Sequence, residues 1–262
     1  MVTEFRVDTG TTELNVATAG GPGPAVLLLH GWPHTWRVWS KVLPALAADH
    51  RVLAPDLRGH GGSRPESDGY EPMSLARDLT GLLDALDVPS ASVVALDAGV
   101  HPAVALALTE PARIDRLVVM EALLPSDGED VPWWFGFHAV PGLAERVLAG
   151  HEAEYVDHFL RSGTEREGAV PPDIRDAFVA AYSGEDALRR GFEHYRHRHL
   201  PLPPGKLEMP VLAIGGNVVG DRLHRQLGDL APDLTGRRID AGHILPLDAP
   251  AELLGVLRPF LR

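Results

Sequence analysis

The stretch SVVALDAGVHPAVALAL, residues 92–108, decides how the whole chain is interpreted. It begins as an uninterrupted apolar run, breaks at Asp97, and continues past Gly99 in an apolar pattern typical of a buried helix. We therefore predict a buried strand, a tight turn and a helix. Because an unpaired buried carboxylate is costly, Asp97 either caps the helix that follows it or is held at the turn for its chemistry.

The residues two positions before and after Asp97 are both small, Ala95 and Gly99. This spacing is typical of a nucleophile elbow, where a strand turns sharply into a helix and holds a reactive side chain in a strained conformation. Small residues suit such a turn because it brings backbone segments close together. The five-residue pattern alone leaves helix capping open as the alternative.

Length, charge and composition limit the classes of protein. A chain of 262 residues can form one large α/β domain with an insertion. The net charge of −12 argues against nucleic acid or an anionic membrane as a partner. The absence of cysteine excludes disulfides, thiolate metal sites and a cysteine nucleophile. We find neither the apolar segment of a signal peptide nor an apolar run long enough to span a membrane, and we expect a cytoplasmic monomer or homodimer.

Strand-like and helix-like segments alternate along the chain, which favours a mostly parallel sheet with helices on both faces. Between residues 125 and 205 the sequence becomes rich in aromatic residues and histidine and mostly helical in period. A structureless loop of this length is improbable in a compact domain. We predict a helical cap at 125–205, inserted between two core parts at 1–124 and 206–262. The predicted strands are 13–19, 25–30, 51–57, 92–97, 116–121, 209–216 and 235–240; the predicted core helices are 35–49, 74–87, 221–230 and 250–261.

Two further motifs flank the early strands: His-Gly-Trp-Pro at 30–33 and Asp-Leu-Arg-Gly-His-Gly-Gly-Ser at 56–63. Together with the Asp97 turn, and in this order, they resemble the α/β-hydrolase superfamily, in the branch of epoxide hydrolases and related dehalogenases that use an aspartate nucleophile. The resemblance runs over essentially the full chain. It implies the α/β-hydrolase fold, with a mostly parallel central sheet, helices on both faces and a helical cap inserted between two core strands.

The resemblance also implies catalytic roles. Asp97 is the expected nucleophile, and His243, after the last predicted strand, is the expected base. Glu121 is the favoured acidic partner of His243, with Asp221 as the alternative because it follows the strand at 209–216. The backbone N–H groups of Trp32 and Ala98 are the expected oxyanion donors. No Gly-x-Ser-x-Gly motif occurs, so a serine esterase would lack its nucleophile.

An aspartate nucleophile changes the reaction class. A carboxylate is ionised at neutral pH and needs no base in order to attack. Attack on an ester carbonyl would give an anhydride, whereas attack on a saturated carbon with a leaving group gives a stable alkyl ester. The favoured substrates are therefore epoxides or alkyl halides, and a histidine-activated water would hydrolyse the ester.

The cap residues help to separate these two substrates. The segment RRGFEHYRHRHL resembles the family's Phe-x-x-Tyr-Arg cap helix and nominates Tyr195 as the acid that opens an epoxide. The second donor departs from the pattern, because Trp134 stands where relatives often carry histidine or tyrosine, and an indole N–H does not readily release its proton. Haloalkane dehalogenases commonly carry a tryptophan directly after the nucleophile to hold the halide, and this chain has Ala98 there. Fluoroacetate dehalogenases carry arginines just after the nucleophile, where this chain has Val100 and His101.

The sequence thus predicts a cofactor-independent epoxide hydrolase that forms vicinal diols and whose partner is a small-molecule apolar or aromatic epoxide. Its cap aromatics suggest a bulky substrate, as in tailoring enzymes of secondary metabolism that resemble this branch. A dehalogenase, a ligand-binding protein and a lyase on the same scaffold remain alternatives. We predict no metal, since the alternating His and Arg residues after Glu193 do not converge on one helix face. The cap residues predicted to contact substrate are Trp133, Phe135, Phe137 and Phe192.

Overall fold

The computed structural model describes residues 1–125, 131–197 and 200–262. Eight strands form one sheet in the order β1-β2-β4-β3-β5-β6-β7-β8. The pairs β1–β2 and β2–β4 are antiparallel, and all remaining neighbours are parallel. The strands are β1 (Thr3–Asp8), β2 (Glu13–Ala19), β3 (Ala25–Leu29), β4 (Arg51–Pro55), β5 (Ala91–Leu96), β6 (Ile114–Met120), β7 (Val211–Gly215) and β8 (Leu234–Arg238).

The two faces of the sheet belong to two apolar cores. Because side chains alternate along a strand, Leu27 and Leu29 pack on one face while Val26 and Leu28 pack on the other. The predicted mostly parallel sheet with helices on both faces is therefore confirmed. The helices are α1 (Leu43–Leu46), α2 (Pro72–Ala85), α3 (Val100–Thr109), α4 (Trp133–Ala139), α5 (Leu143–Leu148), α6 (Glu152–Ser162), α7 (Pro172–Ala181), α8 (Glu185–His197), α9 (Arg222–Leu227), α10 (Leu245–Asp248) and α11 (Pro250–Leu261).

Strand β1 and the short helix α10 were not predicted from the sequence, and one predicted helix has a different form. Strand β1 was not predicted, because its apolar alternation is confined to Phe5 and Val7, too short a pattern to stand out in the sequence. The helix predicted over 35–49 is a 3₁₀ turn at Trp36–Trp39 followed by the short helix α1. Pro44 has no N–H to continue a helix from the preceding turn, and it occupies the start of α1 instead.

Helices α4 to α8 all lie between β6 and β7 in the chain. Buried side chains of this segment, including Phe178, Tyr182 and Phe192, join the same core as Trp32 and Trp36. The segment therefore packs over the sheet's carboxyl-terminal end, near the loop that follows β3. Its division from the core at residues 125 and 205 remains a prediction. None of the described helices combines the length and the apolar character needed to cross a bilayer.

Candidate active site

The turn after β5 has the geometry of an elbow. A 3₁₀ turn at Asp97–Gly99 joins β5 directly to α3, and Asp97 has a φ of 51°, in the left-handed region that side chains rarely adopt. A Cβ at Gly99 would lie 2.6 Å from the carbonyl oxygen of His30, and a Cβ at Gly31 would overlap the side chain of Asp97. Glycine is therefore required at both positions. Helix α3 begins without a side-chain cap, so Asp97 is not its N-cap.

Three side chains from separate loops meet at this elbow. His243 lies after β8, with its Nε2 2.8 Å from Oδ2 of Asp97 and its Nδ1 3.1 Å from Oε2 of Glu121. In the imidazolium form both ring nitrogens donate to these carboxylates. Asp97 Oδ1 accepts a hydrogen bond from the N–H of Ala98. The structure thus brings together the predicted nucleophile, base and acid.

Glu121 follows β6 and is held rigidly. Its side chain is buried, its φ is 50°, and its Oε1 accepts a 2.5 Å hydrogen bond from the N–H of Gly216. The N–H of Val219 lies 3.3 Å from both carboxylate oxygens. The alternative acid, Asp221, is exposed and lies 3.9 Å from Arg238. The geometry therefore favours Glu121, as expected.

The two carboxylates change the protonation of His243. Burial acts to lower the pKa of His243, but its hydrogen bonds to Asp97 and Glu121, and their charges, raise the pKa to about 10. Burial acts to raise the pKa of Asp97, and the hydrogen bond and charge of His243 override it, leaving that pKa below its ordinary value. The resting site is thus an imidazolium between two carboxylates.

This pairing predicts a pH dependence of stability. Because the pKa of His243 is raised from 6.5 on folding, its contribution is complete below that value and is lost as the pH rises towards about 10. We expect the difference in unfolding free energy between the wild type and His243→Gln to shrink steadily over this range. Urea unfolding of both proteins at several pH values measures the difference. A difference that stays constant would contradict the paired imidazolium.

The predicted oxyanion donors lie on the two sides of Asp97. The N–H of Ala98 already contacts its carboxylate, and the loop carrying Trp32 approaches so closely that a Cβ at Gly31 would lie 2.9 Å from the nitrogen of Ala98. The indole of Trp32 is surrounded by aromatic rings of α6 and α8, with centroids 4.8 Å away for Phe159 and 5.8 Å for Tyr195. Trp32 therefore lies between the elbow at Asp97 and the helices α6 and α8.

A cavity of about 490 Å³ opens above Asp97, within the size range of small-molecule sites. Asp97, Glu121 and His243 line its floor. From the helical segment it is lined by Trp134, Phe135 and Tyr195, so these three predicted residues face the reactive carboxylate.

The other predicted contact residues do not line this cavity. Trp133 is 62% exposed, and it shares a helix face with Phe137, one turn later, their rings 6.2 Å apart. Phe192 is fully buried and stacks on His138 at 4.1 Å. Contact of these three residues with substrate therefore stays a prediction, and aromatic content does not reveal which face of a helix turns towards the cavity.

Several cavity residues escaped the sequence analysis. They are polar or cationic side chains from five different parts of the chain: His34, His101, His158, His194 and Arg222. With thirteen histidines in the chain and no distinctive spacing, the sequence offered no signal for them. They add polar groups to the cavity, two of them beside aromatic residues that also line it: His158 next to Phe159 and His194 next to Tyr195.

The two motifs that carry the family resemblance have structural roles around this site. Asp56 is buried, and its carboxylate accepts hydrogen bonds from the N–H groups of Trp36 and Gly62. His30 Nε2 accepts from the N–H of Leu57. These bonds fasten the loops after β3 and β4 to each other, and so fix the position of Trp32 relative to Asp97.

The described residues contain no cluster of three or more histidine, cysteine or acidic side chains able to hold a metal ion. Part of the alternating histidine and arginine segment, Arg198 and His199, lies outside the described residues.

Comparisons with known proteins agree with this architecture. A family model described as the alpha/beta hydrolase fold matches residues 24–250. The soluble epoxide hydrolase of Corynebacterium sp. strain C12 is 27% identical, over 90% of this chain and 89% of its own. Epoxide hydrolase 1 of Siraitia grosvenorii is 35% identical, over 81% of this chain and 79% of its own.

Two further matches extend the comparison. A haloalkane dehalogenase of Mesorhizobium japonicum is 36% identical over 52% of this chain, spanning 42% of its own length. The crystal structure of Cfl2 from Burkholderia cenocepacia superposes with a TM-score of 0.93 at 29% identity, over 99% of this chain and 95% of that one. The chain therefore belongs to the α/β-hydrolase fold family, in the branch that includes its epoxide hydrolase relatives.

Proposed function

We propose that the protein is an epoxide hydrolase that converts an epoxide to a vicinal diol through an alkyl ester of Asp97. One observation carries this proposal: an ionised carboxylate at the elbow contacts His243 Nε2 at 2.8 Å and lines a cavity that aromatic rings wall in part. Two epoxide hydrolases that match most of the chain support the same reaction.

In the first step, Asp97 attacks a ring carbon of the epoxide. A carbon–oxygen bond to the carboxylate forms, the ring carbon–oxygen bond breaks, and the electron pair stays on the ring oxygen as an alkoxide. Tyr195, which lines the cavity, donates its phenolic proton to that oxygen. The indole N–H of Trp134 donates a hydrogen bond to the same oxygen but keeps its proton.

In the second step, His243 activates water. Alkylation removes the charge of Asp97, one of the two charges that raise the pKa of His243, so this pKa falls. His243 then gives up one proton, which passes through solvent to the phenolate of Tyr195, and the neutral imidazole becomes available. His243 takes one proton from a water whose oxygen adds to Cγ of Asp97. The N–H groups of Ala98 and Trp32 stabilise the resulting oxyanion.

The intermediate then collapses to products. The ester carbon–oxygen bond breaks, and His243 returns its proton to the leaving alkoxide, which becomes the second hydroxyl of the diol. The proton left on the carboxylic acid of Asp97 passes to His243 and restores the imidazolium between the two carboxylates. One water is consumed, and no cofactor enters the reaction.

The cavity also supports a proposal for the substrate class. Its volume of about 490 Å³ and its wall of Trp134, Phe135 and Phe159 suit a bulky apolar or aromatic epoxide, such as one met in secondary metabolism. We propose that α4 to α8 act as the cap that surrounds this substrate, so a large aromatic epoxide should outcompete a small aliphatic one.

Trapping the ester tests the reaction directly. In His243→Gln the carboxylate of Asp97 can still attack, but no base activates water, so the alkyl-enzyme should accumulate. Mass spectrometry after incubation with a panel of epoxides and haloalkanes should show a mass increase equal to the whole epoxide on the Asp97 peptide. Addition of the alkyl group with loss of halide would instead indicate a dehalogenase. Absence of any adduct would favour a ligand-binding protein or a lyase.

A further inference from the structure

His34 is a polar residue of the cavity that the steps above do not use. It lies in the loop after β3, two residues beyond Trp32, and its side chain is fully buried while lining the same cavity as Asp97 and His243. Its backbone is fixed, since its N–H donates to the carbonyl of Gly31 and its carbonyl accepts from the hydroxyl of Tyr182. The loop that presents the buried imidazole to the cavity is therefore fixed.

Both ring nitrogens of His34 lack a hydrogen-bond partner among the described residues. The nearest ring is that of Phe178, with centroids 5.3 Å apart, and it offers no conventional hydrogen-bond partner. A buried polar group without a partner destabilises the folded state. A fold that only needed to fill this space would favour an apolar side chain, so the imidazole is better explained by a ligand in the cavity.

The other polar groups at the floor of the cavity are already occupied. Glu121 accepts bonds from Gly216, Val219 and His243, and Asp97 from Ala98 and His243. A buried water makes about three hydrogen bonds. His243 supplies one contact to the water that attacks the ester of Asp97. A second group is needed to orient that water.

The electrostatic environment of His34 places it close to this chemistry. Burial lowers the pKa of His34 to about 3, and the charges of Asp97 and His243 both act on it. The ring is therefore neutral throughout the physiological range and presents one donor and one acceptor. A neutral imidazole can hold a water without competing with His243 for its proton.

We infer that His34 is a positioning residue that holds the hydrolytic water between His243 Nε2 and the ester carbon of Asp97. This inference rests on the proposed function, because it concerns the second step of that reaction. His34 would then act in the hydrolysis of the ester and have no role in its formation.

The kinetic test compares His34→Leu, His34→Gln and the wild type with an epoxide that forms an adduct in His243→Gln. In His34→Leu we expect the alkylation rate and kcat/KM to stay near wild type, while hydrolysis of the ester slows about 100-fold. The ester should then accumulate, and kcat and KM should fall together. His34→Gln keeps a donor and an acceptor and should recover most of the hydrolysis rate.

Thermal unfolding provides an independent readout, with His50→Leu as the matched control. His50 is also buried, but its Nδ1 lies 3.2 Å from the carbonyl oxygen of Leu46, and it does not line the cavity. We expect His50→Leu to lower Tm with unchanged kinetics, and His34→Leu to leave Tm unchanged or raise it while hydrolysis slows.

Each contrary outcome is distinguishable. Rapid hydrolysis of the ester in His34→Leu would overturn the inference and leave the proposed function intact. A fall in kcat/KM without ester accumulation would overturn it by assigning His34 to substrate binding. A lower Tm with normal kinetics would make the residue structural. Absence of an epoxide adduct in His243→Gln would contradict the proposed function and this inference with it.

Discussion

Asp97→Asn is expected to abolish epoxide turnover, with a fall of roughly 10⁴-fold or more, as is common when a covalent nucleophile is removed. The amide is nearly the same size as the carboxylate but is not a nucleophile at neutral pH. Steady-state diol formation and mass spectrometry of the protein measure the effect. We expect no adduct on the peptide that contains position 97, even when His243 is also replaced by Gln.

A matched control separates chemistry from backbone strain. Asp87 has a φ of 52°, nearly that of Asp97, but it is exposed and does not line the cavity. Asp87→Asn should therefore leave turnover unchanged. If Asp97→Asn kept substantial activity, the alkyl-aspartyl intermediate would be wrong and a lyase-type reaction in the same pocket would become the better explanation.

Asp97→Asn should also change the pKa of His243. Asp97 supplies one of the two hydrogen bonds and one of the two charges that raise the pKa of the imidazole. Removing that charge should lower the pKa of His243 towards its ordinary value, because Glu121 alone remains as its partner. Titration of the His243 ring resonances by NMR measures this shift. An unchanged pKa would indicate that Glu121 dominates the pairing.

Much of the site could be predicted because its parts are local sequence patterns. The small residues around Asp97 follow from the tight turn, which the observed φ of 51° and the close approach of Gly99 to His30 explain. Glu121 was favoured over Asp221 because members of the resembled family carry glutamate after this strand, whereas Asp221 begins the next predicted helix. The structure adds the physical reason, since two backbone N–H groups beyond β7 bind its carboxylate.

Other parts of the site depend on distant contacts that a single sequence does not reveal. The rotation of α4 turns Trp134 and Phe135 towards the cavity and leaves Trp133 in solvent, although all three are aromatic and adjacent. His34 becomes buried only because Phe178 and Tyr182, from α7 and the residue after it, pack over its loop. Its sequence neighbours give no indication of this.

Tyr195→Phe should separate epoxide opening from halide displacement. Opening an epoxide produces an alkoxide, a strongly basic leaving group that needs a proton, whereas a halide leaves as an anion. General-acid catalysis is typically worth roughly 10²- to 10⁴-fold, so we expect kcat/KM for an epoxide to fall by about 100-fold or more. The alkylation rate of any haloalkane substrate should be almost unchanged. Single-turnover alkylation, followed by mass spectrometry in the His243→Gln background, measures both rates.

Tyr155→Phe is the control, because Tyr155 is another tyrosine of the helical segment, partly buried where Tyr195 is buried. Its hydroxyl lies 2.6 Å from Nε2 of His138, and its side chain does not line the cavity. It should therefore cost some stability but leave the alkylation rate of epoxides unchanged. Equal effects of the two variants would show that Tyr195 only packs in the cap.

The identity of the acid also determines what Trp134 contributes. An indole N–H can hydrogen-bond the ring oxygen but cannot supply the proton that an alkoxide needs. Trp134→Phe should consequently slow epoxide opening by much less than Tyr195→Phe, since one hydrogen bond is lost while the proton donor remains. The reverse order would mean that ring opening proceeds through hydrogen bonding alone, with the alkoxide protonated by solvent, and Tyr195 would then have no acid role.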